Sequence, residues 1–424
     1  MIKKTFNKLN IDVYEETLKN GLSIYVVPIK EKNNFYVTFT TKYGSLVNEF
    51  VPIGEDKFTK VPDGVAHFLE HKVFEQEDKI DPFSFFSERG ADCNANTSYY
   101  KTTYLFSGAT FYEECLKYLL NYVTSPYFTD ENVLKEKGII EQEIKMYDDD
   151  PYSKLYDTIL ENSFVKNNIR IPVGGTVDSI YKITKEDLYK CYNTFYHPSN
   201  MFVIVVGNVD VKETIKIIND FYKTKQYDKA QEIKIKKIKE PDNVFKEYCE
   251  LNMNVNIPKV SVNYKINTST SKLDMYKKSL YLRIFLDLKF GSTSLFLENL
   301  KKENIINYDL SFDLAYTDTH TLIIFAGETK NEKKLVEYIN EEINNKTITE
   351  EELNRKKKII ISSIIYMSDN IYGINNKLVN DIVKYDKIRY DIFEVIDSLN
   401  IDEYNEFMNS FNFDNKNITV LNPK

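Results

Sequence analysis

Two of the chain's four histidines stand four residues apart in HFLEH, which places His67, Glu70 and His71 in one short run. On a helix, positions i, i+3 and i+4 project from one face. Both imidazoles can then reach one metal ion, with the Glu70 carboxylate beside them. Imidazole suits zinc, and a catalytic zinc usually has three protein ligands and one position open for water. In a chain this poor in histidine, HxxEH arises by chance on the order of a few times in a thousand.

A third ligand must come from elsewhere, and EKGIIEQEI supplies candidates. Glu136 and Glu143 are two helical turns apart and share nearly one face. Glu143 is the expected third ligand. Glu136 is expected to accept a hydrogen bond from a ligating imidazole and so fix its tautomer and orientation. Glu141 lies off this face and is the weaker candidate. His197 and His320 stand alone and are read as structural.

These residues need elements to position them. Leu22–Pro28, Phe35–Thr41, Thr103–Ser107 and Met201–Val206 are short, β-branched and aromatic, and read as strands. Asp63–Gln76, Phe111–Thr124, Asp130–Tyr147 and Lys185–Phe195 carry helical periodicity, with Asp63 a candidate N-cap. The charged stretch 226–247 reads as a linker between a metal-binding domain over 1–225 and a related domain over 248–424. Beyond it, Leu251–Ile257 and Val260–Ile266 read as strands.

The second part repeats the first. YLFSGATFYEECLKYL from Tyr104 aligns with IIFAGETKNEKKLVEY from Ile323, and FTDENVLKEKGIIEQEI from Phe128 with ITEEELNRKKKIIISSI from Ile348. The run ending at Val206 aligns with the end of the chain, all three at offsets of roughly 220 residues. This predicts two α+β halves of one ancestral fold. Apolar positions recur in both, but Ser363 and Lys356 stand where the first half has Glu143 and Glu136.

With 56 basic and 64 acidic residues the formal charge is −8, which argues against a nucleic-acid binder. Four scattered cysteines without a CxxC pair fit a reducing cytoplasm. The first residues, MIKKTFNKLN, carry no apolar core of a leader, and no run approaches the roughly 20 residues of a membrane span, so neither export nor a membrane anchor is expected.

GVAHFLEHKVF, GADCNANTSYYKTTYLF, EKGIIEQEIKMYDDDP and TFYHPSNMFVIVVGNVD together resemble the inverzincin metallopeptidases: pitrilysin, insulin-degrading enzyme and mitochondrial processing peptidase. The likeness covers nearly the whole chain and is closest to the short bacterial members of two halves. It implies an α+β fold of two homologous halves, each a mainly antiparallel sheet packed with helices. It implies Zn2+ on His67, His71 and Glu143, Glu70 as catalytic base, and Glu136 as support.

The resemblance also implies that Asn94, Ala95 and Thr97 lie on an edge strand that pairs with substrate backbone. In the second half, LKKENIINY puts Lys301 where many relatives have an arginine and Tyr308 where they have a tyrosine near the substrate. The implied activity is zinc-dependent hydrolysis of peptides or unfolded polypeptides in an enclosed chamber, with activity falling at acidic pH as the imidazoles protonate. A homodimer, or a heterodimer with a homologous subunit, is the expected assembly. Two other readings are a non-catalytic subunit or scaffold of the same fold, and a metal lyase like the shorter S-ribosylhomocysteine-cleaving synthases.

Overall fold

The structure is a computed structural model and describes residues 1–227, 230, 232–306 and 309–424. It contains two compact units. The first comprises Met1–Ile144, Pro172–Lys237 and Ser363–Tyr390, and the second Lys145–Ile171, Ile238–Ser362 and Asp391–Lys424.

The first unit holds β1 (Ile2–Phe6), β2 (Ile11–Thr17), β3 (Ser23–Pro28), β4 (Phe35–Thr41), β5 (Glu49–Phe50), β6 (Thr59–Lys60), β7 (Asp92–Thr97), β8 (Thr102–Gly108) and β9 (Met201–Gly207). Its main sheet has the order β1-β2-β3-β9-β4-β8-β7. All neighbours are antiparallel except β3 and β9. β4 and β9 are buried at every residue. Strands covered on both faces read as continuous apolar runs rather than alternation, which is why FVIVV stood out in the sequence. β7, at the edge, alternates exposed and half-buried residues.

The second unit holds β10 (Tyr248–Met253), β11 (Lys259–Asn267), β12 (Leu310–Tyr316), β13 (His320–Glu328) and β14 (Lys416–Pro423), in the order β10-β14-β11-β13-β12. Only β10 and β14 run parallel. Each unit is thus a mainly antiparallel sheet with one parallel pair, packed with helices, and the expected α+β class of two homologous halves holds.

Helices α1 (Val65–Phe74), α2 (Pro82–Ser87), α3 (Tyr112–Val123), α4 (Asp130–Asp149) and α5 (Pro151–Ser163) follow in the first half of the chain. α4 starts where Thr129 and Asn132 cap each other, the Thr129 hydroxyl accepting from the Asn132 backbone amide and the Asn132 side-chain Oδ1 from the Thr129 amide. It stops where Asp150 caps α5 and Pro151 takes its first position. α5 packs on β14 and β11, whereas the helix Ile371–Tyr385 packs on β9 and β4. Each sheet is therefore covered partly by a helix from the other linear half.

Two expectations need correction. Asp63 does not cap α1: Gly64 is the N-cap at φ 87°, and the Asp63 carboxylate accepts from Asn48 instead. The strand expected at Leu251–Ile257 runs Tyr248–Met253, because its pairing with β14 starts earlier and the chain turns before Pro258. The hairpin of β1 and β2 went unread, its lysines and glutamates masking the alternation of an outer strand pair. Within 226–247, residues 234–236 pair with the backbone of Glu49–Val51. Among the described residues no helix is long and apolar enough to cross a membrane.

Candidate metal centre

α1 and α4 build the site. His67 Nε2 lies 3.6 Å from Glu143 Oε1, and His71 Nε2 lies 3.4 Å from Glu143 Oε2. Among the described residues this is the one group of three His, Cys, Asp or Glu side chains whose donor atoms all fall within 4.8 Å of one another. Ligands about 2.0–2.1 Å from a tetrahedral ion stand roughly 3.3–3.4 Å apart. Two imidazole nitrogens and one carboxylate at these separations fit a zinc-sized divalent ion.

The tautomers fit as well. His71 Nδ1 lies 3.0 Å from Glu136 Oε1, which leaves Nε2 directed at Glu143. His67 Nδ1 is buried and has no hydrogen-bond partner among the described residues. Burial, with the neighbouring His71, pushes the His67 imidazole down to about 3, so it stays neutral and able to ligate. Burial alone would lower His71 too, but its bond to Glu136 and the charges of Glu136, Glu143 and Glu70 prevail and raise it. Burial opposes ionisation of Glu136, and the bond to His71 and the charge of Lys72 overcome it, holding that carboxyl below its usual range.

Glu70 sits between the two histidines and is 8% exposed. Burial raises its carboxyl, and the Glu143 charge adds to this, against the Thr97 hydrogen bond and His71. The Thr97 hydroxyl donates to Glu70 Oε2 at 2.6 Å.

The other expected residues separate. Asn94, Ala95 and Thr97 do lie on the edge strand β7. Asn94 Oδ1 accepts from the Ala95 amide, Ala95 packs on the core, and the Thr97 side chain faces Glu70 rather than solvent. Glu141 accepts from the Tyr181 hydroxyl. Lys301 belongs to the second unit, where its amine lies 2.5 Å from Asp309. Tyr308 lies outside the described residues. His197 bonds Ser199, and His320 bonds Asp242 and Thr319, each at 2.8 Å, as structural histidines do.

Sequence reasoning missed three neighbours of the site. Lys72 is wholly buried behind His71. A Cβ on Gly64 would meet the Gly174 carbonyl oxygen at 2.4 Å, and one on Gly174 would meet His67 Nδ1 at 3.6 Å. Only the left-handed backbone at Gly64 was legible in principle, through PDG ahead of the motif. Beside His71 opens a groove of about 1020 Å³, lined by Phe74, Phe83, Tyr127, Lys79 and Lys135 among others.

Comparison with known proteins gives the family of the chain. Residues 39–177 match the insulinase family (peptidase family M16), and residues 182–360 match the peptidase M16 inactive domain. The uncharacterized zinc protease YmfH of Bacillus subtilis is 42% identical over 360 residues, covering 84% of each chain. An M16-like peptidase from Alicyclobacillus acidocaldarius superposes with a TM-score of 0.91 at 29% identity, over 98% of this chain and 99% of that one. A protease from Helicobacter pylori shares the fold, with a TM-score of 0.82 at 19% identity over 97% and 99% of the two chains. With a relative this similar along most of its length and both domain types matched in order, the chain belongs to peptidase family M16.

Proposed function

We propose that the chain is a zinc-dependent peptidase that hydrolyses peptides or unfolded polypeptides. The observation that carries this is the convergence of His67, His71 and Glu143 within 4.8 Å of one another, with Glu70 on the same helix turn. His67 Nε2, His71 Nε2 and a Glu143 oxygen would hold the ion. A zinc ion so held supplies Lewis acidity at the scissile carbonyl and a bound water of lowered pKa.

The chain's own residues do the rest. Thr97 anchors one oxygen of the Glu70 carboxylate by donating to Oε2. Glu70 takes a proton from the attacking water and gives it to the departing amine. The water oxygen is left on the acyl carbon as the C–N bond breaks. A carboxyl raised by burial binds a proton more tightly than an exposed one, which makes Glu70 the stronger base toward the attacking water.

β7 offers the backbone of an outer strand, and an extended peptide can add to it by main-chain hydrogen bonds, which read little sequence. Folded proteins present few free extended segments, so peptides and unfolded chains suit the edge. The inactive-domain match covers residues 182–360, whereas His67, Glu70, His71 and Glu143 all fall in the 39–177 match, so the inactive domain does not bear on these ligands. A reducing compartment such as the cytoplasm suits four cysteines that are all free.

The test compares metal content and peptide cleavage in the purified full chain with those of two variants. Glu70→Gln should keep zinc and lose activity by on the order of 10²–10⁴-fold. Glu143→Gln should lose zinc. Unimpaired cleavage by Glu70→Gln overturns the reading.

A further inference from the structure

We propose that Lys72 is a positioning residue of the metal centre, its buried amine holding one oxygen of Glu136 so that the other stays on His71 Nδ1. The inference rests on reading His67, His71 and Glu143 as a metal site. Lys72 is 0% exposed. Its Nζ lies 3.5 Å from Glu136 Oε2 and 3.2 Å from the Asn132 carbonyl oxygen, and it also pairs with Glu75.

A buried ammonium is costly, and apolar residues of similar volume often replace buried ion pairs without loss of stability. Packing alone therefore gives no reason for a lysine in this position. Its contacts do. Asn132 and Glu136 are one turn apart on α4, so the amine is seated on two successive turns of the helix that carries Glu143. His71 and Lys72 are consecutive on α1, and Glu136 divides its two oxygens between them.

The division matters because a carboxylate held at one oxygen turns easily about its last torsion, which has a broad minimum. Held at both, it keeps its plane. A fixed acceptor at Nδ1 fixes the imidazole tautomer and presents the Nε2 lone pair to the metal. Glu75, the third partner, is 39% exposed at its side chain and forms neither a hydrogen bond nor an ion pair with either histidine.

The experiment titrates cobalt(II) into the metal-free full chain and reads affinity by chelator competition and geometry by the visible absorption band. Lys72→Met should weaken cobalt binding roughly tenfold or more and shift the band, within the 10–100-fold range typical of residues that support a ligand. Glu136→Gln should do the same, and Glu75→Gln should change neither. Because Lys72 acts through Glu136, the double variant Lys72→Met/Glu136→Gln should match Glu136→Gln alone.

Wild-type affinity in a folded Lys72→Met chain overturns the inference, and so does a double variant whose loss is the product of the two single losses. Should Lys72→Met not fold, the comparison of Glu136→Gln with the double variant decides, since there the buried pair is removed together: equal affinities support the inference and a further loss overturns it. A wild-type chain that takes up no cobalt overturns the metal reading itself, and this inference with it.

Discussion

The Thr97 hydroxyl donates to Glu70 Oε2 at 2.6 Å, tying the end of the edge strand to the motif glutamate. The resemblance implies that the strand carrying Thr97 pairs with substrate through its backbone; the Thr97 side chain meets the Glu70 carboxylate. Thr97→Val keeps the shape and removes the donor. A lost hydrogen bond to a charged group is worth about 1.5–3 kcal/mol, so kcat should fall by roughly ten- to a hundredfold while bound metal stays constant. Thr97→Ser should restore most of it. A raised KM with unchanged kcat would return Thr97 to the role of substrate contact.

Gly64 opens α1 with φ 87°, and a Cβ there would lie 2.4 Å from the Gly174 carbonyl oxygen. Gly64→Ala must therefore either move the 174–175 backbone, which borders His67, or shift the start of α1. Both displace His67 against His71. The variant should bind zinc more weakly than wild type, read by chelator competition, although it alters no ligand. Zinc binding equal to wild type in a folded Gly64→Ala chain would show that the loop yields freely.

How much of this was legible in the sequence follows from the period of each element. His67, Glu70 and His71, and the Glu136–Glu143 spacing, could be read because helical periodicity alone puts them on shared faces. β9 could be read because full burial makes it a continuous apolar run, and β4 because its residues are aromatic or β-branched. The partners across elements could not. Nothing local to Thr97 says that it reaches Glu70, or that Lys72 reaches Glu136. Periodicity shows that Ile371–Tyr385 has an apolar face, but not which sheet receives it. The N-cap of α1 was misread because Asp is the better cap by composition, while a close backbone approach demanded glycine at the next residue.

The helix Ile371–Tyr385 carries a buried amide. Asn375 is 0% exposed, its Oδ1 accepts from the Thr38 hydroxyl at 3.0 Å and its Nδ2 donates to the Ile204 carbonyl at 3.3 Å. Asn375→Ala removes both bonds and strands the Thr38 hydroxyl in the core. The cost should be about 2–4 kcal/mol, seen as a lower thermal midpoint in a melt of the full chain. Adding Thr38→Val should recover part of it, because the stranded hydroxyl goes too. A midpoint unchanged in Asn375→Ala would mean that this amide does not hold the helix to β4 and β9.

In the second unit, Asp157 carries the reverse of the usual carboxylate shift. Burial pushes its carboxyl from 3.8 up to about 6; Lys154 opposes this, and Asp148 and Glu161 add to it. The folded chain then holds the proton more tightly than the unfolded one. Stability from this group is greatest below pH ~4, falls as pH rises through ~6, and stays low above it. A rise from 3.8 to about 6 would correspond to about 3 kcal/mol, and partial exposure to solvent reduces this to on the order of 1–2 kcal/mol. Asp157→Asn removes the charge that must be buried at neutral pH. The variant should melt higher than wild type at pH 7.5 and nearly together with it at pH 4. Both melts are run with a chelator so that metal release does not enter, and the difference between the two chains isolates Asp157 from every other titrating group. A gap of equal size at both pH values would show that Asp157 does not titrate between them.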